Sequence, residues 1–149
     1  MAEGPSGGFL YAVLEDGSAV LTGYTGSNIF ASIPEQLNGH PVKAIGDQAF
    51  AHSRNLVGVI IPNGVISIGN SAFAGCSSLI TATIPDGVIS IGDSAFFYCS
   101  SLTNMTIPAS VESIGNSAFA DCAFTKVAIP KGVSSIGKNV FMAVSIWRA

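Results

Sequence analysis

Charged residues are scarce in this 149-residue chain, and that scarcity excludes several functions. Six lysines and arginines stand against nine aspartates and glutamates, for a formal net charge of −3. Because nucleic-acid binding needs a surplus of cations to neutralise phosphates, no nucleic-acid partner is expected. Long apolar runs are also missing, since Gly, Pro, Asn, Asp or Ser recurs every few residues, and none approaches the roughly 20 residues that span a bilayer. The sequence therefore predicts no membrane insertion.

Groups that carry catalysis are equally sparse. The two histidines have no serine or carboxylate held beside them by a recognisable motif. His40 lies in an Asn-Gly-His-Pro insertion that reads as an exposed turn, and His52 lies at a variable position that should face solvent. No glycine-rich loop has the spacing of a phosphate site. We therefore expect a protein that is not an enzyme and holds no cofactor or metal.

The N-terminal segment divides into two parts. Residues 1–8, MAEGPSGG, lack the basic and apolar regions of a signal peptide and read as a flexible leader. FLYAVLEDGSAVLTGYTG then reads as two strands joined at Asp16-Gly17, a strong hairpin signal. Residues 9–32 are therefore predicted to form a β-hairpin that caps the N-terminal end of the remaining chain.

A repeat of 23 residues occupies the rest of the chain. SIGNSAFAGCSSL from Ser67 returns as SIGDSAFFYCSSL from Ser90 and as SIGNSAFADCAF from Ser113. An earlier unit is five residues longer, and the Cys-Ala-Phe sequence shortens the final step to 22 residues. Because a unit this small cannot bury its own apolar face, successive units must stack. Residues 33–149 are predicted to form a β-rich solenoid of about five units, the last incomplete.

Each unit has a readable internal order. Apolar residues alternate through Leu79–Ile84 as in a strand with one buried face, which Pro85 ends. A second short extended piece comes next, up to Ile91. Asp93, like Asn70 and Asn116 in other units, then resembles an N-cap, so a short helical or 3-10 turn is expected there, with its Phe filling the interior.

The three cysteines fall in one column of the repeat. Cys76, Cys99 and Cys122 are spaced by 23 residues, so stacking places neighbours about 4.8 Å apart. Side chains that project in parallel rarely have disulfide geometry, and three is an odd number. A ladder of buried thiols is predicted, with one disulfide in the column as the alternative, to be distinguished by titrating thiols after denaturation without reductant.

Two outward columns of the main strand are the candidate binding surface. They contain Gly58, Thr81, Asn104 and Lys126, and Ile60, Thr83, Thr106 and Ala128. These residues can form a plain sheet surface, or a shallow groove for a partner with an apolar end and a polar end. The candidate binding residues are Phe30, Val57 and Ile60 at the apolar end, then Thr81, Thr83, Asn104, Thr106 and Lys126. The threonine array is too short and interrupted to favour ice binding.

The repeat pattern resembles the BspA-type, or Treponema-type, leucine-rich repeats of bacterial surface proteins. The resemblance covers about residues 33–149 and rests on Ile-Pro, Val-x-x-Ile-Gly, Asp/Asn-Ser-Ala-Phe and Cys-Ser-Ser-Leu. It implies a right-handed superhelix with parallel strands. It also implies an extracellular or cell-surface location and adhesion to host matrix proteins, other cells or glycans.

Two functions remain open on the sequence alone. The chain can be a recognition module that binds a protein or glycan through a solenoid face, or a spacer with no ligand of its own. Phe141, Val144 and Ile146 continue the repeat, but no polar cap comes before Ala149. We expect either a fragment of a longer array or an end covered by a second copy, since an open apolar end invites pairing. Trp147 is a possible improvised cap for a monomer.

Overall fold

The 23-residue repeat folds as a stack of about five coils with parallel strands, so the predicted solenoid is confirmed. The computed structural model describes the backbone of residues 2–144 and the side chains of residues 7–144. Ile146 and Trp147 therefore lie outside the described residues. We number the coils from their strand positions: first 29–56, second 57–79, third 80–102, fourth 103–124 and fifth from 125. The strands are β1 Ala2–Ser6, β2 Phe9–Val13, β3 Ala19–Tyr24, β4 Phe30–Ser32, β5 Gln36–Leu37, β6 His40–Ile45, β7 Gly58–Ile60, β8 Ser67–Ile68, β9 Thr81–Thr83, β10 Ser90–Ile91, β11 Ser113–Ile114 and β12 Ser135–Ile136.

Two sheets form the walls of the stack. The longer sheet has the order β1-β2-β3-β6-β8-β10-β11-β12, with β5 paired to β6. From β3 onward its strands along that order are parallel, and Ala44-Ile45 of the first coil is followed in the same register by one Ser-Ile pair from each later coil. The shorter sheet, β4-β7-β9, is built from the alternating segment that the sequence identified as the main strand. The second extended piece of the repeat is thus the better paired of the two.

The predicted hairpin closes the N-terminal end. β2 and β3 are antiparallel, and the turn between them is held by the Asp16 carboxylate, which accepts bonds from the Ser18 amide at 2.9 Å and hydroxyl at 2.6 Å. These bonds lower the pKa of Asp16 from its usual value. β3 then pairs with β6, which joins the hairpin to the first coil. Residues 2–6, predicted to be a flexible leader, instead form β1 against β2. Gly and Pro in AEGPS are typical of loops, but an edge strand tolerates them, so composition alone did not indicate this strand.

A stack of aromatic rings runs along the interior. Phe50, Phe73, Phe96 and Phe119 lie almost parallel, with centroids 4.9, 5.0 and 5.5 Å apart. Phe141 continues the stack at 5.7 Å. At the other end, Tyr24 and then Phe9 of the hairpin extend it. Such offset ring contacts add to the burial of large apolar area, so the stack ties the cap and all five coils together.

The turns that carry these phenylalanines are not helical, which corrects the expectation of helical or 3-10 turns. Ser94 has a left-handed backbone, with φ 55°, as do its equivalents in every other coil. Alternate amides bond within the coil and to the next coil: Ala95 donates to Gly92 at 3.3 Å, whereas Phe96 donates to Ala118 at 2.8 Å. Bonds between coils thus replace the local bonds of a helix.

Asp93 and its equivalents are not helix caps. The amide of Asn116 donates to the Asp93 carboxylate at 2.8 Å, one coil away. The same bond joins Asn70 to Asp47, Asp93 to Asn70 and Lys138 to Asn116. Each side chain accepts from the following coil, so this column is an Asp/Asn ladder. The preceding glycine makes room for it, because a Cβ on Gly92 would lie 2.6 Å from the Asn70 side-chain oxygen and 2.7 Å from the Gly69 backbone.

The five-residue insertion of the first coil is the hairpin β5–β6. Asn38 and Gly39, both with positive φ, form its turn. His40 starts β6, is half-buried, and its Nδ1 lies 2.8 Å from the Gly17 carbonyl oxygen. The prediction of an exposed turn at His40 is therefore wrong: the histidine joins the insertion to the N-terminal hairpin.

Candidate functional site

The strand face is the outer surface of β4, β7 and β9, continued by residues 104–106 and 126–128. Phe30, Gly58 and Thr81 are neighbours across the three strands, as are Ser32, Ile60 and Thr83. The two outward columns predicted from the sequence are confirmed for Gly58 and Thr81 and for Ile60 and Thr83. Between them, Ala31, Val59 and Ala82 point into the core.

Phe30 owes its position to the glycine beside it. A Cβ on Gly58 would lie 2.8 Å from Cδ1 of the Phe30 ring and 3.3 Å from Cγ2 of Thr81. The ring therefore lies over the Gly58 backbone rather than standing away from the sheet. Since glycine itself weakens a strand interior, its presence in β7 is explained by this close approach.

Exposed apolar side chains form a patch at the N-terminal end of the strand face. Phe30 is 62% exposed and Ile60 52% exposed, although both are large and apolar. Ile29 and Ile80, at 51% and 47%, flank half-buried Val57 in the column just before the strands. Backbone bonds from Val57 to Ile29 at 2.7 Å and from Ile80 to Val57 at 2.8 Å hold that column together. We call Ile29, Phe30, Val57, Ile60 and Ile80 the apolar patch.

Sequence reasoning missed Ile29 and Ile80. Both residues precede the segment in which apolar and polar residues alternate, so the alternation did not predict that their side chains face outward. The signal that could have found them is their column: Ile29, Val57 and Ile80 are all apolar, whereas the fourth coil has Thr103 there.

The polar end of the predicted site is separated from the apolar patch. Beyond β9, the described part of the chain continues the sheet by one bridge, between Thr81 and Asn104. Thr106 and Lys126 are exposed, but neither belongs to a strand. Lys126 instead lines a cleft of about 740 Å³ between residues 103–107 and 125–128. The structure therefore places Phe30, Ile60, Thr81 and Thr83 on one sheet and Val57 just before its strand β7. Asn104 lies at the end of the sheet, and Thr106 and Lys126 lie beyond it.

The cysteine column is a ladder of buried free thiols, and the disulfide alternative is not present. The Sγ of Cys76 donates to the Phe50 carbonyl of the preceding coil at 3.1 Å. Cys99 and Cys122 repeat this bond to Phe73 and Phe96. Hydrogen bonding with the thiols of Cys122 and Cys76, together with burial, raises the pKa of Cys99. Hydrogen bonding with Cys99 instead lowers the pKa of Cys76. Because all three thiols are buried and each donates to a carbonyl group of the preceding coil, the ladder is a packing element.

A second, polar cavity of about 330 Å³ lies where the hairpin meets the first coil. Tyr24, Asn28, His52 and Arg54 are among its lining residues. His52 is exposed, as predicted, and its ring lies over Gly75 of the next coil. Among the described residues, no group of three His, Cys, Asp or Glu side chains could hold a metal ion. No helix in the described part of the chain has the length and apolar character that crossing a membrane requires.

Residues 26–146 match the family described as BspA type leucine rich repeat region, in six copies. The chain belongs to this family. Among solved structures, this BspA-type chain is similar to a leucine-rich repeat protein of T. pallidum, with 34% identity and a TM-score of 0.89 over 94% of this chain and 66% of that one. It is also similar to a leucine-rich repeat protein from Bacteroides ovatus, with 32% identity and a TM-score of 0.87 over 93% and 38% of the two chains.

One further solved structure is similar to this chain. A leucine rich cell surface protein from Faecalibacterium prausnitzii is 29% identical, with a TM-score of 0.51 over 95% of this chain and 52% of that one. The chain thus spans less than two thirds of each of these three proteins. No curated protein matches it.

Proposed function

We propose that this chain is an extracellular, cell-surface module that binds a protein partner through its strand face. The observation that carries the proposal is the apolar patch, in which Phe30 and Ile60 keep more than half of their surface in water. Isolated exposed apolar residues are ordinary, but a contiguous group on a rigid sheet is typical of an interaction site. Exposed aromatic anchors are also the residues that dominate binding energy at interfaces.

The surface location is supported by the family and by one relative. The F. prausnitzii protein is described as a cell surface protein. Proteins of this repeat type are known chiefly as bacterial surface proteins, which is what the sequence resemblance implied. A module displayed there meets host matrix proteins, other cells and glycans, and an apolar patch favours a protein among these.

The proposal is tested with residues that the repeat already uses at the same positions. Phe30→Thr takes the residue of Thr81 in its column, and Ile60→Thr takes that of Thr83, so the double variant should fold unchanged. We expect binding to a panel of purified extracellular-matrix proteins to fall by about tenfold or more, the loss of roughly 1.4 kcal/mol or more at an anchor. The melting temperature should remain within about 1–2 °C, as for a surface substitution.

The matched control removes apolar surface elsewhere. Ile66 and Ile89 are 51% and 40% exposed but lie outside the strand face, so Ile66→Thr with Ile89→Thr should leave binding unchanged. Equal losses in both double variants would contradict a site on the strand face. Binding to a glycan array, but to none of the proteins, would replace the protein partner with a sugar. Binding to neither would favour the spacer.

A further inference from the structure

The shorter sheet comes apart toward the C-terminal end of the solenoid. The amide of Ile33 donates to the Ile60 carbonyl, and that of Ile61 to the Thr83 carbonyl, each at 3.1 Å. These bonds join the first coil to the second and the second to the third. Ile84 and Ile107 occupy the same position in the third and fourth coils, but among the described residues their amides have no backbone partner in the next coil.

The gap widens from one coil to the next. A space of about 300 Å³ separates residues 81–84 from 104–106, and the cleft of about 740 Å³ lies beyond it, between residues 103–107 and 125–128. On the opposite wall, β10, β11 and β12 remain paired in register. The fourth and fifth coils are therefore parted on one side only, like a wedge.

Side-chain size explains the wedge. The inward position of the short sheet holds Ala31, Val59 and Ala82 where the coils are paired, but the longer Met105 in the fourth coil. Phe124 replaces leucine at the end of the fourth coil, where the connection is one residue shorter, and its ring packs edge-on against Phe119 at 5.8 Å. Met105 and the ring of Phe124 need more interior space than Ala31, Val59 and Ala82, and this additional volume pushes the strand positions apart.

The residues that line the cleft are suited to binding an additional β-strand. At this position of the repeat, the amides of Ile33 and Ile61 donate to the next coil, so the fourth coil presents to the opening the Ile107 amide, which has no backbone partner among the described residues. The walls also carry Thr103, Thr106 and Thr125, residues that favour extended structure. Lys126 is the only charged side chain among the described residues that line the cleft, in a chain whose net charge is −3.

We propose that this cleft binds an extended peptide segment of a partner, which adds a strand beside residues 103–107 and places an acidic side chain against Lys126. In this mode of binding, backbone hydrogen bonds supply the affinity, and the contact with Lys126 supplies the preference for a peptide with an acidic residue. The proposal does not depend on the apolar patch, since Phe30 and Ile60 lie on the other end of the strand face and outside the cleft.

The probe is a synthetic peptide, acetyl-Thr-Val-Glu-Val-Thr-Val-amide, carrying a neutral fluorophore. We expect saturable binding by fluorescence anisotropy, with chemical-shift changes at the amides of Met105 and Ile107. A peptide with alternate amides N-methylated cannot pair with the edge and should not bind. Lys126→Glu should weaken the Glu peptide by about five- to tenfold and strengthen a Glu-to-Lys version of it, as for an exposed ion pair that is reversed.

Lys138→Glu is the matched control, because Lys138 is exposed, changes the net charge equally and lies at the Asp/Asn ladder, outside the cleft. The proposal is overturned by no binding at millimolar peptide, by equal binding of the N-methylated peptide, or by equal effects of Lys126→Glu and Lys138→Glu. Shift changes confined to Phe30 and Ile60 would also overturn it, while supporting the strand face. Loss of matrix-protein binding in the Phe30→Thr, Ile60→Thr variant, with peptide binding intact, would separate the two sites.

Discussion

The first three coils and the last two are built from one repeat, yet they differ on one wall of the stack. In the first three, strands β4, β7 and β9 pair in register. In the last two, the same segment is held by a single bridge and then separates into the cleft. The longer sheet continues through both regions. A solenoid coil can therefore lose pairing on one side while its axis and opposite wall stay regular.

The largest expected effect comes from the axis that the two regions share. Phe96 is fully buried and stacks on Phe73 on one side and Phe119 on the other. Phe96→Ala should lower the free energy of unfolding by about 3–5 kcal/mol, because it leaves a large cavity in the core. Urea denaturation followed by circular dichroism measures this. Phe97→Ala is the adjacent control, and since Phe97 is 38% exposed its effect should be much smaller; similar losses would mean the ring stack is not the main support.

The difference in strand pairing between the two regions should appear in the exchange rates of their backbone amide hydrogens. The Ile61 amide, bonded to the Thr83 carbonyl at 3.1 Å, should exchange more slowly than the Ile107 amide, which has no backbone partner in the part of the chain that the structure describes. Inserting one serine between Cys122 and Ala123, together with Phe124→Leu, restores the regular unit and should slow exchange at Ile107 by about tenfold or more. The Gly115 amide, bonded to Ile91 at 2.8 Å on the opposite wall, should not change. Equal protection of the Ile61 and Ile107 amides in the unmodified chain would contradict the loss of strand pairing in the last two coils.

The Asp/Asn ladder should contribute equally in both regions. Asp93→Ala removes the acceptor of the Asn116 amide and should cost about 1 kcal/mol, the usual net value of one hydrogen bond. Asp93→Asn keeps an oxygen at that place, as Asn70 and Asn116 do, and should be close to neutral. The melting temperatures of the two variants and the unmodified chain measure these differences in stability. A neutral alanine variant would show that solvent replaces the bond without cost.

The smallest effect concerns the left-handed turns. Ser94 has φ 55°, which strains a residue with a Cβ, and no such strain applies to glycine. Ser94→Gly should raise the free energy of unfolding by about 0.5 kcal/mol, since relief of strain exceeds the entropic cost of glycine. Ser90→Gly, in strand β10, should instead be destabilising by about 0.5–1 kcal/mol. The same sign for both variants would contradict the assigned turn geometry.

The columns of the solenoid could be predicted because they depend on residue identity alone. Phe50, Phe73, Phe96 and Phe119 recur at a fixed step, and a unit too small to bury them must stack. The helical turn could not be excluded in this way, since Asp93 before Ser-Ala-Phe matches a local cap signal. The Asp93 carboxylate instead accepts the Asn116 amide, a bond that exists only once two coils are stacked.

The candidate site was predictable in part for the same reason. Alternation in the strand gave the outward directions of Thr81 and Thr83, and the register confirms both positions. The binding role of these residues stays a prediction. The separation of Lys126 from the sheet depends on how Met105 and Phe124 pack, and side-chain volumes read one at a time do not show which wall will part.

The Asp/Asn ladder also bears on how arrays of this kind change in length. In each of the first four coils, an aspartate or asparagine side-chain oxygen at the same position accepts the amide of the following coil. The fifth coil has Lys138 at this position. Loss or duplication of one 23-residue segment by recombination would rejoin matching surfaces on that wall. An array of this kind can thus grow or shrink by whole coils while each junction on that wall keeps the same hydrogen bond.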